Sequence, residues 1–169
     1  MKQYEDISQI MRKHKVEPCV FVLSVDRDGN PNGMIAGWNM KVSYNPPMIA
    51  VALSKMDNTQ RLIRESKEFV VSSPSPELLE ALEYFGSTTG AKVKKFKETG
   101  VRTLPATKIK TPILADAKTN FECKLHSFTE PGDHYIFVGE IVAAHHDPEK
   151  KQLFYAGRDE KGDRVFKSD

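Results

Sequence analysis

The chain of 169 residues has little cysteine and no long hydrophobic run. Its two cysteines, Cys19 and Cys123, lie in strand-like apolar patterns and form no CxxC pair. This excludes the usual zinc and dithiol motifs, so we expect two reduced core cysteines and no metal. The apolar stretch 19–25 is too short to span a bilayer, and the first residues lack the apolar segment of a signal peptide. A cytoplasmic protein that does not bind membranes is therefore expected.

Net charge is also small, at +2. A balance this even gives no argument for nucleic-acid binding. The exception is a local basic cluster, which we define as Lys92, Lys94, Lys95 and Lys97. Hydrophobic residues make up 39% and charged residues 28% of the chain, which is typical of a globular protein. We expect a single domain over residues 1–169.

Apolar alternation and turn residues predict mainly strands, joined by hairpins. Hairpins pair strands antiparallel, and few crossover helices occur, so an antiparallel barrel is favoured over a doubly wound sheet. Between Gly86 and Pro112 the chain is irregular, and a loop of this length usually carries function. The predicted strands are 19–25, 33–42, 48–53, 68–72, 120–129, 134–146 and 152–156, and the predicted helices are 6–13, 58–66 and 76–84.

Several catalytic and binding motifs are missing. The segment 86–92 has three residues between its glycines and Val93 after its lysine, so it does not fit a phosphate-binding P-loop. No GxGxxG or GxSxG occurs. His145 and His146 are adjacent in a predicted strand and so point to opposite faces, which favours a solvated strand end over a metal site.

The segment from Asn32 to Asn39 is unusual for a core strand. It contains two glycines and the only tryptophan, Trp38. Glycine within a strand marks either a bend or the close approach of a ligand. The residues alone leave two interpretations open: a planar ligand lying on exposed backbone, or a barrel-corner bend with a core tryptophan.

Taken together, the order and spacing of several segments resemble the flavin reductase-like proteins, and among them the flavoredoxins. Thr59 and Ile63 fit the same pattern. The segments that carry the resemblance are 18–53, 69–74, 86–96, 111–125 and 132–144.

This resemblance implies an antiparallel Greek-key FMN-binding split β-barrel with a few short flanking helices, non-covalent FMN, and a homodimer with the flavin near the subunit interface. Family members often have an acidic residue where this chain has Lys94, so Lys92 or Lys94 is an alternative to Lys95 at the FMN phosphate. The implied flavin contacts are Asn32, Trp38, Thr59, Lys95 and His134, and the implied pocket lining is Ala36, Gly37, Asn39, Leu53, Ser54 and Lys55.

The resemblance also implies an oxidoreductase. NADH or NADPH would reduce the flavin, which would pass electrons to free flavin or a redox-partner protein, and His134 is the catalytic candidate at the nicotinamide or flavin edge. A flavoredoxin-like electron carrier that uses nicotinamide poorly is the alternative. A third hypothesis is a module that binds an anion such as single-stranded nucleic acid through the basic cluster. It is disfavoured because Phe96 is the only stacking residue in that loop.

Overall fold

The computed structural model describes residues 6, 7, 11 and 17–169. The helix predicted over 6–13 lies largely outside the described residues. None of the described helices has the length and apolar character needed to cross a membrane.

The described chain folds mainly into strands, as predicted. The helices are α1 (Asn58–Ser66), α2 (Leu79–Ser87) and α3 (Lys95–Thr99), with a single 3₁₀ turn at Pro76–Leu78 before α2. The strands are β1 (Glu17–Pro18), β2 (Val20–Val25), β3 (Pro31–Ala36), β4 (Asn39–Tyr44), β5 (Pro47–Ser54), β6 (Glu68–Ser73), β7 (Thr103–Leu104), β8 (Ile113–Leu114), β9 (Thr119–Thr129), β10 (His134–His146), β11 (Leu153–Arg158) and β12 (Arg164–Ser168).

Seven strands form one antiparallel sheet in the order β3-β2-β6-β9-β10-β5-β4. Strands β5 and β6 are consecutive in the chain but are separated by β9 and β10 in the sheet, which is a Greek-key type of connection. Two smaller sheets, β1-β11-β12 and β7-β8, complete the strand pairing. The predicted mainly antiparallel architecture with a few short helices is confirmed.

The core lies on both faces of β2, because successive strand residues point to opposite sides. Phe21 and Leu23 pack with Phe85 of α2 on one face. Val22 packs with Ile63 of α1 on the other. A strand buried on both faces reads as a continuous apolar run, and this is why 19–25 shows no alternation.

The strand predicted over 33–42 is two strands, β3 and β4, with a bend between them. The Asn39 side chain stabilises this bend, because its Nδ2 donates to the carbonyl oxygens of Pro18, Ala36 and Gly37 at 3.0–3.3 Å. The bend interpretation of this segment is therefore correct. A core position for Trp38 is not, since 47% of this residue is exposed.

The segment 86–112 is not irregular throughout, contrary to the prediction, because it contains α3 and β7. Two carboxylates hold its last part, residues 107–111, to the sheet. Glu122 is fully buried and accepts hydrogen bonds from the backbone N–H groups of Thr107 and Lys108. Glu68 accepts from the backbone N–H groups of Lys110 and Thr111. Burial raises the pKa of Glu122, but these hydrogen bonds, with one to His145, outweigh burial and leave the pKa below its ordinary value. The two carboxylates therefore anchor residues 107–111 to the sheet, in addition to the packing of Phe96 and Ile109 against the core.

The two adjacent histidines make separate contacts. His145 Nε2 lies 2.7 Å from Glu122 Oε1, and His146 Nδ1 lies 2.8 Å from the Thr119 hydroxyl. Within the described part of the chain, no group of His, Cys, Asp and Glu is arranged to hold a metal ion. Cys19 and Cys123 are buried and form no disulfide.

Gly139 of β10 provides a test of this packing. A Cβ at this position would lie 2.4 Å from Phe69 Cζ and 2.8 Å from Cys123 Cβ. Gly139→Ala is therefore expected to lower the free energy of unfolding by about 1–3 kcal/mol, measured by urea denaturation. Ser127→Ala, at an exposed position on neighbouring β9, is the control and should change stability little. An equally stable Gly139→Ala protein would contradict the packing described here.

Candidate functional site

A cavity of about 300 Å³ lies where β3, the start of α1, the end of α2 and α3 meet. Three of the predicted site residues, Gly37, Thr59 and Lys95, line it. The polar residues and glycines that also line it are Gly33, Asp57, Asn58, Thr88, Thr89, Gly90 and Arg164.

The first turn of α1 contributes unpaired backbone donors to this cavity. Asp57 is the N-cap residue, but its side chain does not cap the helix. Its carboxylate instead accepts the backbone N–H of Ser54 at 3.0 Å. Asn58 and Thr59, whose N–H groups belong to the uncapped first turn, line the cavity. An uncapped helix N-terminus attracts anions because free N–H groups and the helix dipole act together.

Lys95 supplies a buried positive charge. The residue is 3% exposed, and its Nζ donates to the carbonyl oxygens of Gly33 at 3.0 Å and Phe85 at 2.8 Å. An ammonium group has three donors, so one remains available. Burial lowers the pKa of Lys95 to about 8, and the charge of Asp57 only partly opposes this. No described carboxylate lies within ion-pair distance of Lys95, and the Asp57 carboxylate on the same cavity wall offsets its charge only in part.

Asn32 forms hydrogen bonds that hold the loop after α2 beside the cavity. Its Nδ2 donates to the Gly90 carbonyl oxygen at 2.9 Å, and its Oδ1 accepts the Gly33 N–H at 2.7 Å. A Cβ on Gly90 would lie 2.0 Å from Asn32 Oδ1, so only glycine permits this close approach. Asn32 therefore links β3 to the loop after α2.

Trp38 and His134 form an aromatic pair at the neighbouring end of the site. Their ring centroids are 4.8 Å apart, with 34° between the ring planes. His134 Nδ1 lies 2.6 Å from Asp133 Oδ1, and this contact, together with the charge of His134, lowers the pKa of Asp133. No described residue hydrogen-bonds His134 Nε2, which leaves this nitrogen for a ligand.

The turn after β5 brings the aromatic pair close to α1. His134 is paired with Ser54 in the β10–β5 register. The backbone N–H of Lys55 donates to the Asp133 carbonyl oxygen at 3.0 Å, and Lys55 Nζ lies 3.3 Å from Glu130 Oε2. Leu53 is fully buried, so only its backbone is available to a ligand.

Lys92 and Lys94 do not line this cavity. Both are exposed and lie instead at a second cavity beside it. Lys95 is thus the lysine of the basic cluster that enters the first cavity, and it is not part of a solvated loop.

The sequence did not identify two further residues of the cavity. In the sequence Asp57 cannot be distinguished from an ordinary helix N-cap. In the structure, burial raises the pKa of its carboxyl above the ordinary value despite the Ser54 N–H and the charges of His134 and Lys95. Arg164 lies on β12, a strand that was not predicted, and its guanidinium donates to the Gly86 carbonyl oxygen at 2.9 Å. Because segment 158–164 consists almost entirely of charged residues, the hydrophobic periodicity of this part of the sequence does not predict the short strand.

Comparison with known proteins decides the family. The flavin reductase-like domain model matches residues 12–162. This chain belongs to the flavin reductase-like family. The mainly β, split-barrel fold expected of that family is confirmed by solved structures of similar fold.

Individual relatives are distant in sequence. The chain is 36% identical over 116 residues to an uncharacterised protein of Archaeoglobus fulgidus, a match covering 69% of this chain and 66% of that protein, just under two thirds of its length. It is 29% identical over 141 residues to a flavin reductase of Pseudomonas putida, covering 80% of this chain and 77% of the relative. The structure of flavoredoxin from Desulfovibrio vulgaris (Miyazaki F) superimposes with a TM-score of 0.82 at 26% identity, covering 100% of this chain and 93% of that one.

Proposed function

We propose that this protein binds FMN non-covalently, with the FMN phosphate in the first cavity, and acts as an NAD(P)H-dependent flavin oxidoreductase. The observation that carries the proposal is the buried ammonium of Lys95, bonded only to two carbonyl groups, at a cavity that also receives the uncapped start of α1. Membership of the flavin reductase-like family supports the flavin.

The donors present suit a phosphate monoester. A phosphate group near its dianionic form takes a cation, a hydroxyl group and backbone N–H groups. Lys95 supplies the cation, and the first turn of α1 supplies the N–H groups. Thr59 supplies the hydroxyl, which is bonded to no described residue although Thr59 is 2% exposed. These hydrogen-bond donors without a described acceptor support a bound anion better than a purely structural role for Lys95 and Thr59.

The flavin ring would extend from this cavity past Gly37 to the aromatic pair. Gly37 lines both the first cavity and a shallow depression that includes Trp38. Trp38 offers partly exposed apolar surface, and His134 offers Nε2 as a donor or acceptor at the ring edge. These residues would orient the ring and exclude water from one side.

FMN, when bound, supplies the hydride chemistry, and the protein supplies position and electrostatics. His134 is the proposed catalytic residue, because its Nδ1 contact with Asp133 fixes the ring while Nε2 stays available at the open end of the site. A flavoredoxin-like electron carrier is the second candidate function, supported by the structural likeness to flavoredoxin. Both candidates use the same cofactor site and differ in whether nicotinamide reduces it efficiently.

The absorption spectrum of the freshly purified protein, followed by anaerobic addition of NADH and NADPH, separates these functions. We expect oxidised-flavin bands that either nucleotide bleaches within seconds. His134→Gln should retain the flavin but slow bleaching by at least about tenfold. Flavin bands that neither nucleotide bleaches would favour the electron carrier. A colourless protein that binds no added FMN would contradict both functions.

The pKa of Lys95 predicts how the affinity for FMN depends on pH. The free ammonium has a pKa of about 8, and a bound phosphate dianion would raise it. FMN affinity should therefore be constant between pH 7 and 8 and fall by up to about tenfold per unit as the pH rises above 8. Riboflavin, which lacks the phosphate, should show no such dependence in the same fluorescence titration. Lys95→Met should weaken FMN far more than riboflavin, and equal losses for both ligands would place the phosphate elsewhere.

We also propose that two copies of the chain associate through Trp38 and the strand that follows it, β4, which is one of the two edge strands of the large sheet. Its exposed apolar side chains form a surface continuous with the flavin site, since Trp38 belongs to both. An exposed apolar sheet edge of this kind is typical of an interface. The exposed residues are Trp38 (47%), Met40 (63%), Val42 (42%) and Tyr44 (86%).

Met40→Glu tests the dimer. A charge at the centre of this surface should convert the dimer to a monomer and weaken FMN binding at the adjoining site, measured by light scattering and fluorescence titration. Leu104→Glu places the same charge on an exposed position of β7 and should change neither property. A wild-type protein that is monomeric at tens of micromolar would contradict the association.

A further inference from the structure

Arg164 brings a second cation to the wall of the first cavity. The residue is half-buried on β12, an edge strand of the small sheet β1-β11-β12. Its guanidinium donates to the Gly86 carbonyl oxygen at 2.9 Å, and Lys95 donates to the carbonyl oxygen of Phe85, the preceding residue. Two cations from different elements therefore bind neighbouring carbonyl groups near the C-terminal end of α2.

The end of α2 attracts both cations for a structural reason. The last carbonyl groups of a helix have no partner within the helix, and the helix dipole places partial negative charge there. Lysine and arginine side chains commonly bind these carbonyl groups. Capping of α2 therefore accounts for the position of Arg164, but it uses only one of the donors of the guanidinium.

The remaining donors of Arg164 are available at the cavity. A guanidinium carries five N–H donors, and none of the other four is bonded to a residue in the described part of the chain. No described carboxylate forms an ion pair with Arg164 either. A Cβ on Gly86 would lie 2.7 Å from Arg164 Nη1, so glycine allows the guanidinium to lie close to this wall. Arg164 lines the same cavity as Lys95 and Thr59.

We propose that Arg164 is a second phosphate-binding residue of the flavin site, and that the bound phosphate links the C-terminal hairpin, β11 with β12, to α3. The inference rests on the proposed function, because it takes the flavin phosphate to lie in the first cavity. Guanidinium and phosphate form paired, charge-assisted hydrogen bonds, so Arg164 adds geometry as well as charge to the site. Riboflavin makes no such link, because it lacks the phosphate.

Arg164→Met tests the contact, because it removes the charge and keeps an unbranched side chain. Dissociation constants for FMN and riboflavin are measured by flavin fluorescence at neutral pH and fixed ionic strength. The variant should bind FMN about tenfold or more weakly and riboflavin within about twofold of wild type. Arg164→Lys, which keeps the charge, should recover part of the FMN affinity. Retained riboflavin binding reports that each variant is folded.

Arg158→Met is the matched control. Arg158 is paired with Arg164 in the β11–β12 register, but it is exposed, donates to the Gly162 carbonyl oxygen and does not line the cavity. Its replacement removes the same charge from the same hairpin and should change neither dissociation constant.

The pH dependence separates the two cations. Burial lowers the pKa of Lys95 to about 8, whereas a guanidinium stays charged in alkaline solution. The factor by which Arg164→Met weakens FMN binding should therefore be similar below and above pH 8. The factor lost in Lys95→Met should instead shrink as the pH rises above 8, because Lys95 of the wild type then loses its own charge.

Hydrogen exchange reports the link to the hairpin. FMN at saturating concentration should slow amide exchange in β11 and β12 of the wild type more than riboflavin does. In Arg164→Met the two ligands should have equal effects. An arginine that only caps α2 would change the exchange of the free protein and leave the difference between the two ligands as it is in the wild type.

The outcomes distinguish this inference from the proposed function. Equal losses of FMN and riboflavin in Arg164→Met, or unchanged binding of both, would overturn the role of Arg164. If Lys95→Met abolishes the preference for FMN while Arg164→Met retains it, this inference alone fails. If neither variant alters that preference, the proposed position of the phosphate fails as well, and a protein that binds no flavin would refute both.

Discussion

The site depends on one buried ammonium group. Lys95 Nζ is held by backbone carbonyl oxygens of Gly33 and Phe85, so a single side chain joins α3 to β3 and to α2. Each of these contacts places an element of the cavity wall. A charge taken out of water needs strong compensation, and two neutral carbonyl groups supply only part of it. In the proposed function, the phosphate of the flavin would supply the remaining compensation.

Glu122 shows how a charge is satisfied when its role is structural. This carboxylate is fully buried, but two backbone N–H groups, the Thr107 hydroxyl and the His145 ring surround it. Its hydrogen bonds outweigh burial, and its pKa falls below the ordinary value. Burial instead dominates at Lys95 and lowers the pKa, and the ammonium donates only to two neutral carbonyl groups. Glu122 therefore orders a loop, whereas Lys95 remains available to a ligand.

Strand positions were predictable from sequence because they depend on local patterns. Alternation and turn residues located β2, β5, β6, β9 and β10 with small errors at their ends. The bend between β3 and β4 was left open, because it depends on a hydrogen bond from Asn39 to the distant Pro18 carbonyl. Strand β12 was not predicted, because its five residues follow a charged segment and are too few to show a clear apolar alternation. The bend therefore depends on a tertiary contact, whereas β12 is too short and too polar for a local pattern to identify it.

The difference between local patterns and tertiary contacts also explains which site residues could be predicted. Resemblance to a family proposed Lys95 and Thr59, and the structure places both at one cavity. Asp57 and Arg164 were not proposed, because one resembles an ordinary helix cap and the other lies on the missed strand. The side chain of Asp57 turns away from the helix to Ser54, and no sequence pattern encodes that choice.

The two ends of the site differ in a way that suits electron transfer. Its charged end is built from buried groups and closed by the bond between Asn32 and Gly90. Its aromatic end, Trp38 with His134, is partly exposed, with Trp38 directly before the edge strand β4. A cofactor held by its phosphate would be anchored in the interior while its reactive ring stayed accessible to a nicotinamide, a second flavin or a protein. Under the proposed function, reductase and carrier would therefore share one binding site, and the surface around Trp38, rather than the anchor at Lys95, would distinguish them.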